Sequence, residues 1–262
     1  MMKLLPMVVL ALLVGCATTG PGGKQSLILI GSDTEVAIGQ NMDTEVRTQN
    51  KIYTDSSWNA YVTRIGNRIV AQCDRRDIDY HFAIIESDQV NAFAAPGGYI
   101  YLYTGLLKTM ENEAELASVM AHEISHIVAR HSIKRLQVAM GVAMLQELVL
   151  GESSEALNTA VNLGLSLSFA EYSRENEREA DSYGVMYMTR AGYNPEAALT
   201  MFQKLASMSD GSPNFFERLS LSHPETQERI TNTNSQIDSM RPLSSELETN
   251  AGRYQSLKTR LP

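Results

Sequence analysis

The chain has 262 residues, 44% of them hydrophobic, enough to bury one good core. A formal net charge of −8 argues against nucleic acid as a partner and against electrostatic attachment to anionic lipid. No internal repeat is found, so one catalytic domain is the default expectation.

Residues 1–15 read as a signal peptide, with Lys3 ahead of an apolar run from Leu4 to Val14. That run is shorter than the ~20 residues a bilayer span needs. It ends in Leu13, Val14, Gly15 and Cys16, which resembles a bacterial lipobox. The resemblance implies cleavage before Cys16 and lipidation of its thiol. Ala17 in the next position then favours the outer membrane, with the domain facing the periplasm. Removing residues 1–15 deletes Lys3 and takes the net charge from −8 to −9. Cys73 is left without a disulfide partner and reads as a small buried apolar residue. Residues 16–32 are expected to form the lipidated cysteine and a flexible linker.

Two amphipathic helices are expected near 33–49 and 55–73, the second capped from Asp55, Ser56 or Ser57. Their core positions are Val36, Ile38, Met42 and Val46, then Trp58, Tyr61, Val62, Ile65 and Ile69. From Tyr80 to Tyr103 the pattern becomes extended, with Phe82, Ile84 and Ile85 in one run and Val90 to Ala94 in another. Ala95, Pro96, Gly97 and Gly98 break the run, after which Tyr99, Tyr101 and Tyr103 alternate with Ile100 and Leu102. A small sheet is expected here, followed by a short helix over 105–110.

The stretch that organises the chain is His122, Glu123, Ile124, Ser125 and His126, the H-E-x-x-H pattern of a zinc hydrolase. Residues four apart share a helix face, so both imidazoles can aim at one ion. Asn112 can cap the helix with Glu115 three residues on, and no Gly or Pro interrupts 112–131. Glu123, turned about 100° from His122, stands beside the metal, where it can take a proton from activated water. His131 follows His126 by five residues, with no intervening glycine, and reads as a helix-end cation. A sheet edge near such a metal can align an extended peptide through backbone hydrogen bonds, which makes Asn91, Ala92, Phe93 and Ala94 the candidate substrate strand.

Residues 133–150 and 154–169 are helical and unusually apolar, yet neither reaches the length of a membrane span; a helical lid or core pair is expected. Another helix follows around 172–188; since catalytic zinc takes three protein ligands and leaves one position for water, with two His supplied a carboxylate is the expected third. Candidates are Glu171, Glu175, Glu177 and Glu179. Glu177 and Asp181 share a face with Ala180, Gly184 and Met188, a small and apolar stripe that can approach another helix closely. Glu175, Arg178, Glu179 and Ser182 fall on the wet side.

Four motifs in order resemble metallopeptidase family forty-eight: the run from Asn91 to Tyr101, His122 to His126, Glu177 to Asp181, and Ser222, His223 and Pro224. The resemblance covers roughly residues 33–240 and implies a predominantly helical α+β, zincin-like (gluzincin) domain, followed by a polar tail over 241–262. It implies one zinc ion (Zn2+) held by His122, His126 and Glu177, with Glu123 catalytic and Asp181 supporting the site behind the ligands. It further implies that His223, with an arginine six residues later, either occupies the fourth zinc position and gates it or stabilises the oxyanion. The chain looks most like the short lipoprotein members of that family. The expected function is a membrane-anchored periplasmic zinc endopeptidase for misfolded or misassembled envelope proteins, with the outer-membrane assembly machinery as a candidate partner. The alternative is a chaperone-like assembly factor with little proteolysis. Glu123 favours the enzyme, because a binding module has no need of a base beside the metal.

Overall fold

The alternation of residues 99–103 sets the layering. In the computed structural model, which describes residues 16–18, 25–151, 153–209, 223 and 227–262, Tyr99, Tyr101 and Tyr103 face one side and Ile100 and Leu102 the other. They lie on β5 (Tyr99–Tyr103), the middle strand of a three-stranded sheet. It pairs in parallel with β3 (His81–Ile85) and antiparallel with β4 (Ala92–Ala95), so β4 is an edge strand. The β1 (Cys16–Thr18) and β2 (Gln25–Leu27) strands form a separate hairpin in which Cys16 is the partner of Leu27.

Each side of the sheet is covered by helices. On the Ile100 side pack α2 (Ser56–Val70), the short α3 (Thr104–Thr109), α4 (Glu113–Val128) and α8 (Arg174–Arg190). On the tyrosine side pack α1 (Ser32–Gln49), α5 (His131–Met140), α6 (Val142–Leu150) and α7 (Ser154–Ser168). Further along the chain, α9 (Glu196–Ser209), α10 (Gln227–Ser239) and α11 (Ala251–Lys258) pack back onto the first group. The result is the expected predominantly helical α+β domain with a small sheet, and it is compatible with a zincin-like architecture. Among the described residues no helix is long and apolar enough to cross a membrane.

Several expectations need correction. The linker expected over 16–32 ends earlier, because Ile28 and Ile30 are buried in the core and Arg130 donates to the Ile30 carbonyl at 2.6 Å. The polar tail expected over 241–262 is part of the fold. Its Tyr254 is wholly buried edge-on to Trp58 and donates to the Leu107 carbonyl at 2.7 Å. The single run 133–150 is two helices, parted at Gly141, whose φ of +72° costs glycine little and other residues more. The signal peptide over 1–15, residues 19–24 of the linker, and Ser222 and Pro224 lie outside the described residues.

Candidate metal centre

Two capped helices bring the site together. Asn112 accepts from the Glu115 amide at 2.9 Å to start α4, and Ser173 accepts from the Asn176 amide at 3.2 Å to start α8. The far end of α4 is pinned where Arg75, paired with the buried Glu35, donates to the Ile127 carbonyl at 3.0 Å. α4 and α8 pack directly against one another, so His122 and His126 on the first face Glu177 and Asp181 on the second.

At the crossing, ligand atoms of His122, His126, Glu177 and His223 all lie within 4.8 Å of one another, and all four residues are buried. The Nε2 atoms of His122 and His126 are 3.1 Å apart, and His223 Nδ1 lies 3.3 Å from His122 Nε2 and 2.9 Å from Glu177 Oε1. Glu177 stands 3.5 Å from His122 Nε2 and 3.4 Å from His126 Nε2. A tetrahedron with vertices ~2.0–2.1 Å from its centre has edges of about 3.3 Å, and these five separations, from 2.9 to 3.5 Å, lie close to that. One proton can bridge one such pair, but it cannot satisfy every lone pair converging here. The residues therefore fit a metal ion.

A family model described as Peptidase family M48 matches residues 56–237, which contain the whole cluster. The chain belongs to peptidase family M48. Similar proteins include the beta-barrel assembly-enhancing protease of Yersinia pestis, 33% identical over 84% of this chain and 47% of that protein. Its counterpart in Escherichia coli K12 is 29% identical over 80% of this chain and 45% of that protein. Metalloprotease LoiP of E. coli K12 is 30% identical over 67% of this chain and 69% of its own length. The chain spans about half the length of the first two.

Around the M48 cluster, charge is arranged in pairs. Asp181 Oδ1 lies 2.9 Å from His122 Nδ1, and Arg229 clamps the same carboxylate with contacts of 2.8 and 2.7 Å. A third nitrogen of Arg229 stands 3.1 Å from Glu177 Oε2 and 3.4 Å from the His223 carbonyl oxygen. Burial disfavours charge on His122, but Asp181 and Glu177 outweigh it and push its pKa up to about 10. Burial holds His126 well below the ordinary imidazole value despite Glu177. Asp181 stays below the usual carboxylate range because, against its burial, Arg229 favours the anion. Glu123 is buried beside the cluster, with Oε1 3.7 Å from His223 Nε2 and Oε2 without a hydrogen-bond partner among the described residues.

A narrow cleft with about 40 Å³ of free space opens beside His122 and Glu123, walled by Val119, Ala198, Met201, Phe202 and Leu205. The candidate substrate residues Asn91, Ala92, Phe93 and Ala94 are not in this wall. Asn91 is buried just ahead of β4 and the other three along it, with Phe93 stacked on Tyr101 and packed against Phe169 at 5.1 Å, and the outer edge of β4 has no strand partner among the described residues.

Two readings are overturned and two residues were missed. His131 does not end α4 as a cation: it is wholly buried, and Arg130 in the left-handed region (φ +54°) ends α4 so that α5 turns His131 back beneath His126. Glu179, expected on the wet side, is nearly buried against His131. Arg229 is visible in sequence only as an arginine six residues after His223. Tyr172 packs its ring 4.1 Å from that of His126, and no local pattern marks it.

Proposed function

We propose that this chain is a zinc metalloendopeptidase of the bacterial cell envelope that cleaves misfolded or misassembled envelope proteins. The observation that carries the reading is the convergence of buried ligand atoms from His122, His126, Glu177 and His223 with Glu123 beside it. His122, His126 and Glu177 would hold the zinc, the two-imidazole, one-carboxylate set that suits a catalytic zinc. Zinc, when bound, supplies Lewis-acid polarisation of the attacking water and of the scissile carbonyl.

The chain's own residues do the rest. Glu123 Oε2, buried and without a hydrogen-bond partner among the described residues, accepts the proton of the attacking water and returns it to the leaving nitrogen. Asp181 holds His122 in the tautomer that presents Nε2, and Arg229 holds Asp181. The apolar cleft seats a side chain next to the scissile bond, which selects apolar residues there. The outer edge of β4, without a strand partner among the described residues, would align the peptide backbone. His223 would gate the site, filling the space beside Glu177 and His122 until substrate displaces it. Its ring nitrogen, 2.9 Å from Glu177 and 3.3 Å from His122, favours this gate over an oxyanion donor, which would stand off from the ligand atoms.

The envelope setting rests on the lipobox-like sequence at Cys16 and on relatives named for enhancing beta-barrel assembly. The pairing of Cys16 with Leu27, which Gln137 ties to α5, supports an anchor that holds the domain close to the outer membrane's periplasmic surface. The purified protein should cleave unfolded casein, lose that activity to a chelator and regain it with added zinc. Absence of cleavage by protein holding one zinc per chain would overturn the proposal.

A further inference from the structure

His122 and His126 are oriented by different devices. Behind His122 stands a carboxylate, Asp181. Behind His126 stands another imidazole, with His131 Nδ1 3.0 Å from His126 Nδ1. The opposite nitrogen of His131, Nε2, is 3.1 Å from Glu179 Oε2, and the Tyr183 hydroxyl donates to Glu179 Oε1 at 2.9 Å. His131 is wholly buried and the Glu179 side chain is 10% exposed.

Proton counting leaves one arrangement that suits a metal. His126 offers the lone pair of Nε2 to the cluster only if its proton sits on Nδ1. That proton points at His131 Nδ1, which must then be an acceptor, so the proton of His131 sits on Nε2 and points at Glu179. An anionic carboxylate at the far end fixes the direction of both hydrogen bonds. Were His131 to carry its proton on Nδ1, two N–H groups would oppose one another across 3.0 Å.

We infer that Glu179, acting through His131, is a positioning residue for the ligand His126. Glu177 and Glu179 are ~200° apart around α8, so one helix supplies a ligand on one side and this supporting carboxylate on another. Tyr183, one turn further along α8, holds Glu179 in place. The inference rests on the zinc reading of the cluster and adds to it a part played by three residues that contact no metal.

The test measures zinc affinity of the full chain by chelator competition. Glu179→Gln should weaken zinc binding about tenfold or more, because an amide can present its NH2 to His131 and reverse the chain. His131→Leu should do the same. His131→Asn keeps a hydrogen-bond acceptor near the position of Nδ1 without needing Glu179. It should therefore bind zinc close to wild type, and adding Glu179→Gln to it should change nothing further. A merely structural role for Glu179 would not depend on that background. Equal zinc affinity of wild type and Glu179→Gln would overturn the inference, as would an equal loss from Glu179→Gln in both backgrounds. Wild type that binds no zinc would instead sink the zinc reading. Glu179 sits near the surface, and the unchanged thermal melt expected for metal-free Glu179→Gln shows that the fold is kept.

Discussion

Gly184 of α8 rests against the backbone of His122: a Cβ added to it would lie 3.2 Å from the His122 nitrogen and 3.3 Å from its Cα. The absent side chain is what lets α8 bring Glu177, about two turns earlier on the same face, up to the imidazoles of α4. Gly184→Val should force the helices apart, destabilising the fold by about 1–3 kcal/mol and weakening zinc binding. Urea unfolding and zinc titration check both effects. Unchanged zinc affinity would show that the close approach does not set the site.

Glu177→Ala should lose stoichiometric zinc, while Glu175→Ala, on the exposed side of α8, should keep it. Elemental analysis of the two purified variants distinguishes them. Equal retention would remove Glu177 from the ligand set.

What the sequence made legible was local. The His122 and His126 pair, the Asn112 cap and the shared face of Glu177 and Asp181 all depend on spacings of three or four residues within one helix. His131 was misread because its spacing from His126 was judged as if α4 continued, whereas Arg130 ends that helix and starts another. Glu179 was placed in solvent because a single face of α8 was considered, while His131 of α5 covers a second. The parallel pairing of β3 with β5, and the burial of Tyr254 beneath Trp58, join residues far apart in the chain, and no short pattern encodes such contacts.

His223→Ala should keep its zinc, because three ligands remain, and should cleave unfolded casein faster than wild type at matched zinc content. That is the result a gate requires. A fall in rate of about 10² to 10³ would instead assign His223 to the oxyanion. An unchanged rate would remove it from the active site.

Glu113 offers a pH test away from the metal. Burial raises its pKa, but hydrogen bonds from Arg64 and Tyr193, both at 2.9 Å, outweigh this and hold the carboxyl below its ordinary value of 4.5. A depressed folded-state pKa contributes stability that is present above the unfolded value and lost as pH falls through the folded one. The stability advantage of wild type over Glu113→Gln should thus be full at pH 7 and shrink below about pH 4.5. Urea midpoints of both proteins across that range check it, and a gap that stays constant with pH would contradict the assignment.

The central claim, that Glu123 serves as the base of a zinc-dependent peptide hydrolysis, is tested most directly by Glu123→Gln. The glutamine is isosteric and is not a ligand, so the variant should hold one zinc per chain with affinity close to wild type. Without a group to accept the proton, its casein turnover at matched zinc occupancy should fall by about 10² or more. Turnover within a few-fold of wild type, with zinc retained, would contradict the account.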